Sequence, residues 1–560
     1  NYEPGDLSDF TNKVQIEADF KKSDIVLSDL KKLYGQFGRH DIIHFTGQVK
    51  GTINDFVLEN IDLESDRNSS LRGDVHLTNM LTPEKFKLTG DIKEISSNYD
   101  HLVNLLPDLL GAKIPEELEN IGFFTSQGKV AITKSSVDVQ LRTIAQIGMS
   151  DVDLKLLNID KGDLVSYKGK IELVDFRLGE FVKDSMIGDF SMVGEVEGEG
   201  LSIEKINIRI KGHISKHQYR GYTYSNIDIN GVLRDKQFDG YLSVNDPNIK
   251  LEFKGLAELS DIKKFNFNAD IAYADFLKLN LFTRDEKSIL KGKIEMDLTG
   301  SSLDNIEGLI SFKEASYSNQ NDDYYFKDFT VTSENKDSIR ELKVNSTDII
   351  NGFVRGNFKY RELKKLAMNS LGSLFVNYEK EEVMPGQFLD FRFNMYNKIV
   401  DVFFPDIQLG PNSIIKGTVD SDQDIFKLSV KSPEIEAFEY TIDQINLQID
   451  NKNPLFNTLL SVDEIDSKYY NLSQINLVNV MLNDTLFMRA DMIGGREKQE
   501  KYTFSFYHTF NEKNQSVVGM KHSELTFKQN TWHINPENNN QNKVVYDKDI
   551  KTYAIDDFNI

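Results

Sequence analysis

Apolar and polar residues alternate with a period of two along most of this chain. Residues 204–214, for example, read Glu-Lys-Ile-Asn-Ile-Arg-Ile-Lys-Gly-His-Ile, so that isoleucine or glycine takes every second position from 206 to 214. A β-strand points successive side chains to opposite faces, and such a segment therefore has one apolar and one polar face. The pattern recurs throughout the chain and predicts a mostly β protein.

The connections between these segments are short and turn-like, as in Asp246-Pro247-Asn248 and Gly494-Gly495. Strands joined by so few residues are mostly antiparallel neighbours, because a parallel crossover needs about a dozen residues or more. Proline accounts for only 11 of 560 residues, and no proline-rich or glycine-serine linker divides the chain. We therefore expect residues 1–560 to form one continuous, elongated segment of a longer chain.

This spacing of strands predicts a single long sheet. At about 12–14 residues per strand and turn, the chain holds roughly 40 strands, which would extend roughly 190 Å if stacked about 4.8 Å apart. A sheet of that length cannot stay flat and must curl. The expected fold is a long, curled, predominantly antiparallel β-sheet that forms an open apolar groove, with a few short amphipathic helices.

The lining of this groove is predicted from the apolar positions of the alternating segments. The predicted lining residues are Ile206, Ile208, Ile210, Ile227, Ile229, Leu251, Phe253, Phe265, Phe267, Ile294, Met296, Leu298, Ile310, Phe312, Phe391, Phe393 and Met395. Charged neighbours such as Arg209 and Arg392 are expected on the opposite face.

Helical spacing of apolar residues interrupts the alternation near 99–120 and again at 360–376. Shorter helices are predicted at 179–186 and 273–280, and another at 21–34. These helices either plug or flank an edge of the sheet, or act as amphipathic lids over the groove. In both cases, we expect the apolar stripe of 360–376 to pack onto the lining or cover the slit, with Lys364 and Lys365 in solvent. The stripe consists of Leu363, Leu366, Ala367, Leu371, Leu374 and Phe375, of which all but Ala367 are expected to pack in this way.

The C-terminal residues are predicted to form a loop followed by a strand. Residues 535–549 contain Asn538-Asn539-Asn540-Gln541-Asn542 and are predicted to be a flexible loop. Strand-like alternation then resumes at Tyr553, Ile555 and Phe558.

Composition excludes several classes of function. Lys and Arg number 66 against 88 Asp and Glu, a formal charge of −22 without any basic cluster, which argues against nucleic-acid binding. Cysteine is absent, so thiolate catalysis, iron–sulfur clusters and cysteine zinc sites are excluded. No run of 18 apolar residues occurs, and the first residues lack the apolar core of a signal peptide, so the chain is either a processed piece or cytosolic.

The search for catalytic or metal-binding residues gives no enzyme signature. His40 and His44 lie four apart on a predicted strand, about 13 Å from one another, without a third ligand nearby. Glu195, Glu197 and Glu199 alternate along a strand and are interpreted as a solvated acidic face. We therefore expect no catalytic activity, no cofactor and no metal site.

Two stretches carry a resemblance to a known family. Residues 82–135 run from Thr-Pro-Glu-Lys-Phe-Lys-Leu-Thr-Gly through His-Leu-Val-Asn-Leu-Leu-Pro-Asp to Gln-Gly-Lys-Val-Ala-Ile, and residues 167–256 begin Tyr-Lys-Gly-Lys-Ile-Glu-Leu-Val-Asp-Phe-Arg-Leu-Gly-Glu-Phe-Val. Both resemble the middle region of the large TamB proteins of the AsmA-like superfamily. The resemblance covers roughly residues 1–380 in style and carries no catalytic residues.

The resemblance implies a periplasmic protein of a Gram-negative bacterium. Such proteins are anchored in the inner membrane by an N-terminal helix, which this chain lacks, and end near an outer-membrane barrel of the TamA/BamA type. Their β-groove is thought to carry phospholipid acyl chains between the membranes. The expected function is therefore a bridge-like lipid conduit that supports outer-membrane biogenesis.

Two other functions stay open. One is a structural scaffold that assists outer-membrane protein assembly with the barrel and carries no lipid. The other, less favoured, is an extracellular β-solenoid adhesin or polysaccharide-binding enzyme. A lining of Ile, Leu, Val and Phe from end to end would favour the conduit, and a filled or interrupted lining would favour the scaffold.

Overall fold

A computed structural model describes residues 3, 5–33, 42–66, 68–105, 116–200, 206–234, 236–375, 377–396, 406–495, 497–547 and 551–556. Within these ranges, 35 strands form one open antiparallel sheet. This confirms the predicted mostly β, antiparallel class. The alternation predicts this class because strands with one apolar and one polar face are typical of antiparallel sheets.

The first sixteen strands, β1 to β16, are Ile16–Val26, Ile42–Gly51, Asp55–Ser65, Ser70–Thr78, Lys87–Ser97, Phe124–Thr133, Ser136–Ala145, Gly148–Leu157, Ser166–Arg177, Ile187–Glu199, Asn207–Tyr219, Tyr222–Tyr224, Ile227–Arg234, Gln237–Asp246, Ile249–Glu258 and Lys263–Asp275. The remaining strands, β17 to β35, are Ile289–Gly300, Glu307–Ser318, Asp323–Lys336, Ile339–Asn345, Ile350–Asn357, Phe388–Met395, Ile407–Leu409, Ser413–Asp420, Ile425–Ala437, Tyr440–Asp450, Thr458–Asp466, Leu472–Leu482, Thr485–Gly494, Glu500–Phe510, Ser516–Met520, Ser523–Phe527, Asn530–Ile534, Lys543–Asp547 and Thr552–Asp556.

The described part of the chain has five α-helices, all short. The helices α1 to α5 are Phe10–Lys13, Leu27–Leu33, Tyr99–Leu105, Leu178–Val182 and Leu363–Gly372. In the portion that the structure describes, none has the length and hydropathy needed to cross a bilayer.

Three of the predicted helices are confirmed in part. α3 begins at Tyr99, although residues 106–115 of that prediction lie outside the described residues. α4 covers the first part of 179–186. α5 lies within 360–376, after a 3-10 turn at Tyr360–Glu362.

Two predicted helices are wrong in whole or in part. Residues 21–26 belong to β1, because β-branched Ile25 and Val26 pair across to β2, and only 27–33 are helical. Residues 273–275 end β16, and the backbone then makes a turn in which the N–H of Leu279 donates to the carbonyl of Asp275 at 3.0 Å. Strand pairing overrides local helical spacing at both sites.

The loop predicted at 535–549 is shorter than expected, because a strand follows residue 542. Asn535 and Asn542 are 1% and 0% exposed, and the Asn535 side-chain amide donates to the carbonyls of Met520 and Asn539. β34 takes up residues 543–547, whereas residues 548–550 lie outside the described part. The asparagines hold the backbone of this segment instead of leaving it loose. The strand predicted at Tyr553, Ile555 and Phe558 is confirmed as β35 for the first two, and Phe558 lies outside the described residues.

The chain divides into two compact units, Asn1–Lys291 and Gly292–Ile560. In the first unit, each strand from β1 to β11 pairs antiparallel with the next along the chain, and β11 pairs with both β12 and β13. In the second unit, β30 pairs with β31 along one half and with β32 along the other. Each unit is described by itself below.

Candidate functional site

Pairing between strands aligns the alternating residues of the first unit into rows that run across the sheet. Following the paired residues from β1 to β16, the first row consists of Ile16, Gly51, Phe56, Leu77, Leu88, Ile132, Val137, Leu156, Tyr167, Gly198, Ile208, Leu233, Phe238, Ala257 and Phe265. Every member is apolar, aromatic or glycine. We call this side of the sheet the inner face.

A second row, two residues further along each strand, has the same character. Its members are Ala18, Val49, Leu58, Val75, Gly90, Val130, Val139, Leu154, Gly169, Val196, Ile210, Gly231, Gly240, Gly255 and Phe267. The inner face of the first unit is therefore apolar over at least two adjacent rows. The alternation predicts this sidedness for each strand alone, and the pairing makes it continuous.

The opposite side, the outer face, is polar. One of its rows consists of Asp74, Asp91, Lys129, Gln140, Asp153, Lys170, Glu195, Lys211, Asn230, Tyr241, Lys254 and Asn268. Glu197 on this face binds Lys168 at 3.2 Å in an exposed ion pair. The interpretation of Glu195, Glu197 and Glu199 as a solvated acidic face agrees with their exposure.

A group of hydroxyl residues on three neighbouring strands interrupts the inner face of the first unit. Ser126, Thr143 and Ser150 pair with one another on β6, β7 and β8, next to Leu173 on β9. The hydroxyl groups of Ser126 and Thr143 are 2.8 Å apart and form a hydrogen bond. The lining of Ile, Leu, Val and Phe is therefore interrupted here, because three neighbouring strands place a small polar residue at the same position, and this feature favours the scaffold.

The second unit has an inner face of the same kind. Its first row runs from β18 to β30 through Ile310, Val331, Val344, Gly352, Phe393, Ile415, Val430, Leu447, Leu460, Leu477, Ala490 and Phe504. The neighbouring row contains Phe391, Leu428 and Ile449 but also Ser333 and Asn479. The apolar surface is thus complete along one row and broken along the next.

Aromatic rings cover glycines on this face. A Cβ atom added at Gly352 would lie 2.5 Å from the ring of Phe393, and one added at Gly417 would lie 2.6 Å from the ring of Phe391. Each ring therefore occupies the space that the glycine of the neighbouring strand leaves. Glycine in these rows keeps the surface apolar while bringing the rings close to the backbone.

The structure places the predicted lining residues of each unit on its inner face, with one exception. Ile206 is partly buried but precedes β11 and has no strand partner. In the first unit the others follow the inner rows, namely Ile208, Ile210, Ile227, Ile229, Leu251, Phe253, Phe265 and Phe267. In the second unit Ile294, Met296 and Leu298 alternate on β17, Ile310 and Phe312 on β18, and Phe391, Phe393 and Met395 on β22.

Helix α5 packs onto the inner face of the second unit. Leu366 is 2% exposed and lies in one cluster with Leu389, Val419 and Phe426 of the sheet. Leu363 and Leu374 belong to the same packing. The connection after the helix is hydrogen-bonded to it, since the Asn369 side-chain amide donates to the carbonyl of Glu381 at 2.8 Å. α5 therefore covers part of the apolar surface.

The predicted orientation of α5 needs one correction. Leu371 and Phe375, which were expected on the lining, are 45% and 56% exposed. With Met368 they form a second apolar stripe, because residues spaced by three or four share one side of a helix. Lys364 is exposed as predicted, whereas Lys365 is only partly exposed and approaches Glu381 at 3.9 Å.

A buried arginine lies at the edge of this region. The local sequence pattern does not predict its burial. Arg340 is 4% exposed, and its guanidinium donates to the carbonyls of Leu303, Asp304 and Phe358 at 3.3, 2.7 and 3.1 Å. It also lies over the ring of Phe358, 4.7 Å from the centroid. One side chain thus joins β20, the loop before β18 and the segment that leads to α5.

A buried carboxylate holds a turn of the first unit. Asp246 is 1% exposed and accepts hydrogen bonds from the Tyr222 hydroxyl, from the Ser225 N–H and hydroxyl, and from the Asn248 N–H. Burial alone would raise the pKa of Asp246, but these donors together hold it below its ordinary value. Burial and the bond to Asp246 raise the pKa of Tyr222 to about 12.

Asp246 therefore gives the first unit a pH-dependent stability. Its folded pKa is lowered, so its contribution is present above the unfolded value of about 3.9 and is lost as the pH falls through the folded pKa. We expect Asp246→Asn to lower the free energy of unfolding by about 2 kcal/mol at pH 7. Urea unfolding should show a smaller difference in stability between the variant and the parent chain at pH 3 than at pH 7. Asp261→Asn, at an exposed position, is the control; an equal cost at both pH values would contradict the assignment.

The described part of the chain contains one group of three side chains suited to binding a metal, two of them histidines. His40 lies outside the described residues, and both ring nitrogens of His44 are engaged, by Asp24 at 2.7 Å and Asp66 at 3.1 Å. These hydrogen bonds, first that to Asp24, raise the pKa of His44. By contrast His522, Glu524 and His533 bring three ligand atoms together. Glu524 pairs with Thr503, the neighbour of the inner-row residue Phe504, so the group lies on the outer face of the second unit. The sequence alone does not indicate this group, because its members come together only through strand pairing.

No family model, curated protein or solved structure matches this chain.

Proposed function

We propose that this chain carries phospholipid acyl chains along the inner face of its sheet, as a bridge-like conduit between the inner and outer membranes of a Gram-negative bacterium. The observation that carries the proposal is the first inner row of each unit, in which every paired residue is apolar, aromatic or glycine. Such a row offers a hydrocarbon chain an apolar path from strand to strand.

The partial exposure of several inner-face residues supports a lipid rather than a closed protein core. Ile208, Phe253, Phe393 and Ile415 are all only partly buried, although they lie on the apolar side of the sheet. In a closed core, residues of this type would lose nearly all contact with water. An acyl chain on this surface removes the remaining apolar area from water and gains about 0.8 kcal/mol for each buried CH₂.

A lipid bound in this way needs no specific polar site. The headgroup can remain in water beside the sheet while the acyl chains lie on the inner face, so recognition depends on the hydrocarbon part. The outer face, with its charged rows, keeps the other side of the sheet solvated. The partners proposed with this function are phospholipids, the inner membrane and an outer-membrane barrel of the TamA/BamA type. The two membrane partners rest on the family resemblance of residues 82–135 and 167–256.

Photo-crosslinking tests the proposal residue by residue. A benzophenone amino acid at Ile208 or Phe393 should capture phospholipid when the protein is incubated with vesicles and irradiated. The same probe at Arg209 or Arg392, one residue away on the exposed outer face, should not. Equal capture at inner and outer positions would show surface adsorption and contradict the proposal.

The second candidate function is a scaffold for outer-membrane protein assembly that carries no lipid. It is favoured by the interruptions of the inner face, namely α5 over Leu389 and Val419 and the hydroxyl groups at Ser126 and Thr143. A scaffold would tolerate charges on the inner face as long as the sheet folds. A conduit would lose lipid binding when charges are placed there.

A further inference from the structure

The outer face of the second unit carries a group of side chains that the lipid proposal does not use. The ring nitrogens of His522 and His533 and a carboxylate oxygen of Glu524 all lie within 4.8 Å of one another. His522 Nε2 and His533 Nδ1 are each 3.5 Å from Glu524 Oε1. All three side chains are exposed, so they can adjust around a ligand.

The fold of the terminal hairpin brings the three together. Glu524 of β32 and His533 of β33 are directly paired across the two strands. His522 precedes Glu524 by two residues, which places it on the same side of the backbone. The turn residues Lys528 and Gln529 both have positive φ, at 47° and 67°, as in the tight turns that fix the pairing of a hairpin.

We propose that His522, Glu524 and His533 bind one divalent transition-metal ion, with zinc as the representative. Two imidazoles and one carboxylate suit zinc, whereas calcium and magnesium prefer oxygen ligands throughout. Tetrahedral zinc with bonds of about 2.1 Å needs ligand atoms about 3.4 Å apart. The two imidazole–carboxylate distances of 3.5 Å fit this value, and a small rotation brings the imidazoles closer.

The bound ion would fasten the β32–β33 hairpin. Both strands have only five residues, and β33 pairs with β32 alone among the described strands. β32 also pairs with β30, so the ion would chiefly hold β33 against β32. The fourth coordination position is left for water. This site is independent of the lipid proposal because its residues lie on the opposite face of the sheet.

Calorimetric titration of zinc chloride into the full chain tests the site. The protein should carry no histidine tag, and the buffer should contain excess magnesium, because the chain has 88 carboxylate side chains that bind divalent ions weakly. We expect one equivalent of zinc to bind. His533→Ala and Glu524→Gln should each weaken this binding by roughly tenfold or more.

A matched control separates the site from adventitious histidine binding. His213→Ala removes another outer-face histidine, which is paired only with Asp228, and should leave zinc binding unchanged. As a second readout, zinc should slow hydrogen exchange in residues 523–534 of the parent chain but not of His533→Ala. Zinc binding that is absent, or equal in all variants, would overturn the proposal.

Discussion

Replacing Phe393 and Ile415 together by aspartate is expected to lower the affinity of the second unit's inner face for phospholipid by roughly tenfold or more. The two residues are paired on β22 and β24 in the first inner row of the second unit. An acyl chain cannot lie across two carboxylates, because burying an unpaired charge is far more costly than leaving it in water. Losing contact with only two CH₂ groups forfeits about 1.6 kcal/mol, which already exceeds a factor of ten.

The same two strands supply the control for this variant. Arg392 and Lys416 are paired on the outer face and are exposed. Replacing both by aspartate changes the net charge twice as much, yet should leave lipid binding unchanged. Lipid extraction followed by mass spectrometry gives the readout, and circular dichroism checks that both variants fold. If the inner variant folds and binds as much lipid as the control, the inner face is not the lipid surface and the scaffold is favoured.

Arg340→Met is expected to destabilise the second unit by about 3–5 kcal/mol. The substitution keeps much of the side chain's apolar volume but leaves three carbonyls, those of Leu303, Asp304 and Phe358, without their buried donor. Each lost bond to a charged group costs about 1.5–3 kcal/mol, and relaxation of the loop before β18 recovers part of the total.

Urea unfolding of the full chain measures this effect. Arg355→Met is the matched control, because Arg355 is exposed on the neighbouring strand and is paired with Glu341. We expect its stability to change by no more than about 0.5 kcal/mol. A similar small change for Arg340→Met would show that the buried guanidinium does not hold these segments together.

The sequence predicts the strands well because their signal is local. Alternation assigns Ile208 and Arg209 to opposite faces without knowledge of any other strand. It fails at residues 273–280, where spacing suits a helix but β16 continues through Asp275. Pairing with β15 supplies hydrogen bonds that a short helix of these residues could not match.

The rows of the inner face depend on pairing that the sequence does not show directly. Residues as far apart as Ile310 and Phe504 join one row only through the chain of pairs between them. Arg340 has the same parity as Leu342 on β20, so alternation alone could have placed it on the inner face. Its burial, however, depends on carbonyls of distant segments, which no local pattern reveals.

The metal-ligand group shows the same limit. His522 and Glu524 have the spacing of same-side residues on a strand, but His533 joins them only if the turn falls at Lys528 and Gln529. That dipeptide lacks the Asn-Gly or Asp-Gly signal of a tight hairpin turn. The exposed stripe of Leu371 and Phe375 likewise depends on which side of α5 meets the sheet.

A native mass spectrum of the chain, purified without detergent from a Gram-negative host, tests the central claim most directly. If the inner face carries acyl chains, the spectrum should show the protein of 64.2 kDa together with species heavier by whole phospholipids. These species should diminish in the Phe393→Asp, Ile415→Asp variant and persist in the Arg392→Asp, Lys416→Asp control. A spectrum of lipid-free protein alone, unchanged after incubation with phospholipid vesicles, would contradict the account.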